Sequence, residues 1–421
     1  MKGSVCIMYC NDRTNAVVAQ SGGPTSAINA TLAGVIKGAL ESKKISRLYG
    51  SFNGIDGILR NDICDLTSLF DDNEYDIQLL SKTPAAALGS CRTRLPSLEE
   101  NDINDIYFRI FDFFEKHGIG YFFYIGGNDS MDTVMKLSEY ARSHSLGIQF
   151  IGVPKTIDND LFGIDHTPGY GSAAKYIAST VSEIVRDCAV YTVKSVTIVE
   201  IMGRDAGWLA AAADLPNYIN GSGPDLVYFP EKTFSIEKFY SDIEEKFKNK
   251  PNIVVAVSEG IRYSDGTYVG EGRQSGATDI FGHKYLAGTA KVLEQEIKSH
   301  FGCKVRSIEL SLPQRCAGHL MSETDRLESI EIGKKAVSFA EDGANSCLIC
   351  SKRTPGDYGL EFLTERIADV ANKIRTLPDE YINETENGIT EKFRDYIMPL
   401  IIGETQTEYC CGLPKYYIIK N

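Results

Sequence analysis

No stretch of this 421-residue chain stays apolar for the roughly 18 to 20 residues that a membrane-crossing helix needs, so a bilayer span is excluded from the reading. The first residues, Met1 to Asp12, lack the basic, apolar and small-residue order of a secretory signal, and a cytoplasmic location is expected. Positive charge is also short: 44 Lys and Arg stand against 57 Asp and Glu, a formal net charge of -13. That balance argues against a nucleic-acid partner, whose phosphate backbone needs a basic face. An anionic substrate must instead be held by a local cluster of Arg, Lys, metal and backbone amides. No internal repeat and no low-complexity tract is found.

The eleven cysteines lack the pattern of a disulfide framework, being scattered and odd in number, which points to reduced thiols. Cys347 and Cys350 have C-x-x-C spacing, but no second such pair and no paired His lies nearby. They sit in an apolar, strand-like run, so buried strand positions are expected rather than a zinc or redox site.

With 43% hydrophobic and 24% charged residues, the composition is that of an ordinary globular protein. The length exceeds the size at which one core usually stops growing, which favours two domains. Short β-rich runs recur at Ala16 to Gln20, Arg47 to Phe52, Gly120 to Ile125, Ile148 to Val153, Val196 to Ile201, Ile253 to Ser258, Val305 to Ser311 and Cys347 to Cys350. Between them Ile28, Leu32, Val35, Ile36, Ala39 and Leu40 fall at helical spacing, as do Met131, Val134, Met135 and Ser138. Buried strands alternating with helices predict an α/β fold with doubly wound, mainly parallel sheets. Tyr263 to Thr278 is Gly-rich and polar and reads as an inserted loop or hairpin; the aromatic-rich stretch from Ile389 is expected to pack back onto the body.

Ligands of open α/β sheets sit beyond the carboxyl ends of the strands, so the residues that follow these runs carry the functional reading. Ser21-Gly22-Gly23-Pro24-Thr25 opens a helix, where glycines let amides approach a phosphate and the helix terminus adds partial positive charge. Gly126-Gly127-Asn128-Asp129-Ser130 pairs two glycines with an acid and a capping serine, a pattern suited to phosphate and Mg2+. Pro154-Lys155-Thr156-Ile157-Asp158-Asn159-Asp160 places a candidate general base, a second carboxylate and a cation in one loop. Met202-Gly203-Arg204-Asp205-Ala206-Gly207 adds an arginine and free amides. Glu259 ends another strand, and Arg306 and Arg315 flank the run Val305 to Leu312; singly each arginine reads as an ion-pair partner, together they form an anion-binding set.

In this order, these motifs resemble the phosphofructokinase family over most of the chain. Gly22-Gly23 is similar to its first glycine turn, Gly89-Ser90-Cys91-Arg92 to its arginine-bearing loop and Gly126 to Ser130 to its nucleotide loop. Pro154 to Asp160 resembles the catalytic loop, Met202-Gly203-Arg204 the sugar-phosphate loop, and Glu259, Arg306 and Arg315 later sugar-binding positions. Asp129 and Lys155 resemble the pyrophosphate-dependent type, since ATP-using relatives usually carry glycine at both places. An aspartate where a nucleotide's α-phosphate would lie repels it: one unit pair at about 4 Å costs about 4 kcal/mol at an effective dielectric near 20. That corresponds to roughly three powers of ten in ATP affinity. Lys155 offers a compact charge to a donor that has no adenosine to anchor it.

The resemblance implies reversible transfer of a phosphoryl group from pyrophosphate to the 1-hydroxyl of fructose 6-phosphate, with Mg2+, in glycolysis and gluconeogenesis. It implies catalysis by Asp158, Asp160, Thr156, Lys155 and Arg92. The donor would be held by Gly22, Gly23, Gly127, Asn128, Asp129, Ser130 and Lys155, with the metal at Asp129. The sugar phosphate would be held by Thr156, Asp158, Met202, Gly203, Arg204, Glu259, Arg306 and Arg315. It further implies a donor domain of 1–165 plus about 314–375, a sugar domain of about 166–313 plus 376–421, and a homodimer or tetramer. Three positions depart from the ATP-dependent pattern: Asn128 for a metal-binding Asp, Leu312 for a polar sugar contact, and Ser195 for a bridging arginine of a neighbouring subunit. The alternatives are an ATP-dependent 6-phosphofructokinase and a non-catalytic regulatory subunit of the same fold, although the latter is expected to lose Asp158 and Asp160.

Overall fold

A computed structural model of the chain describes residues 14–99, 104–271 and 288–419. Its strands in chain order are β1 (Thr14–Gln20), β2 (Ile45–Ser51), β3 (Ile63–Asp65), β4 (Ile119–Gly126), β5 (Gln149–Pro154), β6 (Ser195–Ile201), β7 (Leu226–Tyr228), β8 (Asn252–Ser258), β9 (Lys304–Glu309), β10 (Cys347–Arg353), β11 (Leu360–Arg366), β12 (Tyr409–Cys410) and β13 (Leu413–Pro414). All eight runs read from the sequence are strands. The five not foreseen are short or half-exposed: β3 and β7 have three residues each, β12 and β13 two each, and β11 is an edge strand with no fully buried position.

The strands form two large sheets and a short antiparallel ribbon of β12 with β13. The first has the order β11-β10-β5-β4-β1-β2-β3, and the second β7-β8-β6-β9. Pairing is parallel throughout the second sheet and in the interior of the first, whose two edge strands β3 and β11 run antiparallel. Parallel strands need helical crossovers, and the helices cover both faces of each sheet, so the strands read as continuous apolar runs. In β4 all eight positions are buried.

The two-residue period of the strands sorts their side chains between two cores. Ala16, Val18, Phe123, Ile125, Ile151 and Val153 pack under the helices Ile28–Glu41 and Glu323–Glu341, while Val17, Ala19, Phe122, Tyr124 and Phe150 pack under Asn104–Lys116 and Asn128–Ser143. Cys347 belongs to the first of these cores and Cys350 to the second, so the two thiols lie on opposite faces of the sheet and cannot act as a pair. The second sheet is layered alike, with Tyr170–Cys188 and the C-terminal helix Glu391–Ile397 on one face and Ile236–Phe247 and Thr289–Phe301 on the other.

The stretch from Ile389 packs back as expected: Phe393, Tyr396, Ile397 and Leu400 join the core of the second sheet. The last described residues turn the other way, with Ile419 in the core of the first sheet and the Tyr417 ring 5.2 Å from that of Phe70. Tyr263 opens a tight turn by bonding Thr267, and Arg262 bridges antiparallel to Tyr268. The remainder of the Gly-rich segment read up to Thr278 passes outside the described residues, as do Met1 to Asp12.

Candidate functional site

Because the interior strands are parallel, their carboxyl ends deliver the motif loops to common edges, and the loops of both sheets meet across a cleft of about 400 Å³. Gly22, Gly23, Arg92, Gly127, Asn128, Asp129, Ser130, Lys155, Thr156, Asp158 and Asp160 line it from the first sheet, and Met202, Gly203, Arg204, Glu259 and Arg315 from the other side. Arg306 does not join them. It is half-buried in the middle of β9, paired with Thr197 of β6, which runs four residues further to its carboxyl end. That places its backbone roughly 13 Å short of the loops.

The β1 turn is built for backbone approach. Gly22 has φ of 76°, its N–H donates to the Cys91 carbonyl at 3.2 Å, and the Ser90 hydroxyl donates to the Gly22 carbonyl at 2.6 Å. These bonds tie the Arg92 loop to the glycine turn. Lys155 Nζ donates to the Gly23 carbonyl at 2.6 Å, and a Cβ on Gly22 would stand only 3.3 Å from it. Burial lowers the Lys155 amine to about 8, opposed by the Asp158 carboxylate and reinforced by Arg315. An incoming anion therefore strengthens its charge.

The helix Asn128–Ser143 begins with Asp129 in its first turn, where the helix dipole favours an acid. The Asn128 Oδ1 atom is buried without a hydrogen-bond partner. Among the described residues no three His, Cys, Asp or Glu side chains lie close enough to cage a metal. Mg2+ needs no such cage, because it is usually held by one or two carboxylates, waters and substrate phosphates. The unmatched Asn128 oxygen and the Asp129 carboxylate, both residues lining the cleft, fit an ion that arrives with its anion.

In the β5 loop the Asp158 N–H donates to Thr156 Oγ1 at 3.1 Å, and Asn159 has a left-handed backbone with φ of 56°. Desolvation raises Asp158 above the usual carboxylate range, against the pull of Arg204, Lys155 and Arg315. Asp160 is pushed up to about 7 by burial and then by Asp158. Two acids so placed resist holding two charges at once, and a cation or a hydrogen-bond donor relieves them.

Across the cleft Glu259 Oε1 accepts the N–H groups of Gly203 and Arg204, each at 3.3 Å, and Arg204 itself has φ of 44°. A left-handed non-glycine at a ligand loop is stored strain, held here by the carboxylate. Burial, then Asp158 and Glu200, push Glu259 up from 4.5 to about 8. A carboxyl raised in this way favours the fold most below pH 4.5, and that contribution is lost as pH rises towards 8. Glu259→Gln keeps an oxygen for both N–H groups and removes the ionisation. Its thermal midpoint is therefore expected to exceed that of the parent by a few degrees at pH 8 and to converge with it at pH 5, as read by calorimetry.

Two lining residues escaped the sequence reading. Asn372, whose amide donates to Asp132 Oδ1 at 3.1 Å, and Ile374, which bridges to Leu161, reach the cleft from a segment with no strand or helix periodicity. Only their long-range pairing brings them there.

Comparison with known proteins agrees with this arrangement. The phosphofructokinase family profile matches residues 15–340. The chain is 41% identical over 405 residues to the pyrophosphate–fructose 6-phosphate 1-phosphotransferase of Halomonas elongata, covering 95% of both chains. It is 40% identical to the protein of that name from Methylococcus capsulatus, covering 97% of this chain and 96% of that one. The crystal structure of a pyrophosphate-dependent phosphofructokinase from Nitrosospira multiformis superposes with a TM-score of 0.85 at 37% identity, covering 96% of this chain and 95% of that one.

Proposed function

Because this chain belongs to the phosphofructokinase family, we propose that it transfers a phosphoryl group reversibly between pyrophosphate and the 1-hydroxyl of fructose 6-phosphate. The observation that carries the donor choice is the presence of both Asp129 and Lys155 in the cleft, beside the glycine turn. A carboxylate there repels the α-phosphate of a nucleotide, whereas a buried amine is matched to a compact dianion.

In this reading Asp158 takes the proton of the sugar 1-hydroxyl as its oxygen attacks the nearer phosphorus in line. Its raised affinity for a proton, held in check by Arg204, Lys155 and Arg315, suits a general base. Lys155, Thr156, Arg92 and the amides of Gly22 and Gly23 gather the oxygens of the transferred and leaving groups, with Gly127 and Ser130 closing the donor side. Mg2+ would be held by Asp129, with Asn128 Oδ1 beside it, and when bound supplies neutralisation of the phosphate charge. Asp160 orients the loop. Arg204, Glu259 and Arg315, with the backbone of Met202 and Gly203, hold the sugar phosphate. Donor and product have comparable transfer potential, so the reaction runs in either direction within glycolysis and gluconeogenesis.

We assign the donor to the unit of 1–165 and about 314–375, and the sugar to about 166–313. The segment 376–421 is shared: Glu391–Ile397 goes with the second sheet and Ile419 with the first. Arg306, on an edge strand and away from its own cleft, suits a homodimer in which it reaches the cleft of a second copy. No helix among the described residues is long and apolar enough to cross a membrane.

Initial rates with pyrophosphate and with ATP, at equal fructose 6-phosphate and Mg2+, test the proposal. Turnover with pyrophosphate is expected to exceed that with ATP by at least about 10²-fold, within the span set by the repulsion at Asp129. Faster turnover with ATP would refute the donor assignment.

A further inference from the structure

Asn159, between the two acids of the β5 loop, is fully buried in its left-handed conformation. Such a backbone is strained for a residue other than glycine and persists only where its surroundings hold it. Its side chain is held at both ends: Oδ1 accepts the Thr167 N–H at 3.0 Å, and Nδ2 donates to the Tyr396 hydroxyl at 2.9 Å. The same hydroxyl donates to the Asp165 carbonyl at 2.8 Å and accepts from Arg375 Nη2 at 3.3 Å. The backbone N–H of Arg375 donates to the Asp160 carbonyl at 2.8 Å, and its guanidinium lies 4.2 Å over the Trp208 ring, which follows the Met202–Gly207 loop.

Packing alone does not require the hydroxyl. The Tyr396 ring sits among Trp208, Tyr381 and Phe393, with the Arg353 guanidinium 4.5 Å over its face, and a phenylalanine would fill the same space. The oxygen bonds Asn159 of the catalytic loop, Asp165 just beyond it, and Arg375, whose backbone N–H holds the Asp160 carbonyl.

We propose that Tyr396 is a positioning residue for phosphoryl transfer: its hydroxyl holds Asn159 in the left-handed turn and so sets how Asp158 and Asp160 enter the cleft. The inference rests on the reading of Asp158 as the proton acceptor. It gives the C-terminal helix a role in the reaction although none of its residues lines the cleft.

Tyr396→Phe keeps the ring and leaves the Asn159 amide buried without its partner. A misplacement of about 1 Å can cost about 10²-fold in rate. The variant is therefore expected to lose about 10- to 100-fold in kcat, with KM for fructose 6-phosphate and pyrophosphate within about twofold of the parent. Asn159→Gly accepts the same backbone and removes the bond from the other end. It should show a similar loss, and the double variant should lose less than the product of the two single losses, since both changes delete the Asn159–Tyr396 bond. A parental kcat in Tyr396→Phe, a rise in KM at unchanged kcat, or losses that multiply in the double variant would each overturn the proposal. Should Tyr396→Phe not fold, a parental kcat in Asn159→Gly overturns it alone. Asp158→Ala, measured alongside, separates the two claims: retained turnover there removes the proton acceptor, whatever Tyr396 does.

Discussion

Asp158→Ala is expected to lower kcat by about 10³- to 10⁴-fold, the upper part of the range for loss of a general base, while fructose 6-phosphate binds within a few-fold of the parent. The separation follows from the geometry. The sugar phosphate is assigned to Arg204, Glu259 and Arg315, whereas Asp158 is assigned to the hydroxyl that reacts. The same change has an electrostatic signature. Asp158 is the largest charged contributor raising both Asp160 and Glu259, so its removal lets those carboxyls ionise at lower pH. The fold loses less stability between pH 5 and 8 in consequence. Turnover by quenched flow, sugar-phosphate affinity by calorimetry and the thermal midpoint across pH together test the assignment; weakened binding at parental turnover would contradict it.

Asp129→Gly is expected to raise kcat/KM for ATP by up to about three powers of ten, the equivalent of removing about 4 kcal/mol of repulsion from the nucleotide's α-phosphate. The gain should exceed the cost of a glycine in the first turn of Asn128–Ser143, about 1 kcal/mol in stability. Use of pyrophosphate should fall, because the carboxylate assigned to Mg2+ is gone. Lys155 remains, so pyrophosphate is weakened rather than abolished. Competition assays with both donors present read the switch directly. An unchanged ATP rate would mean that something other than Asp129 bars the nucleotide, and the remaining candidate in the same loop set is Lys155, whose amine already bonds Gly23.

The alternation of buried strands and helices was legible because burial repeats every two or about 3.6 residues, a property of each segment alone. The loops carrying Lys155, Asp158 and Arg204 were legible for a related reason: once a parallel sheet is inferred, strand ends share an edge. What stayed hidden has no local signature. The edge strand β11 has half-exposed positions like those of many loops, and Asn372 and Ile374 reach the cleft only through partners at Asp132 and Leu161.

By itself, then, the chain's sequence determined the α/β class and the loops that make the cleft, Asp129 and Lys155 among their residues. The tertiary structure alone decided that Arg306 stays out of its own cleft, that Glu259 and Asp160 hold protons up to about 8 and about 7, and that Tyr396 reaches Asn159 across 237 positions of chain. The division is physical. Propensity and periodicity act over a few neighbouring residues, whereas desolvation, charge coupling and hydrogen bonds between distant segments exist only after the sheets have closed on each other.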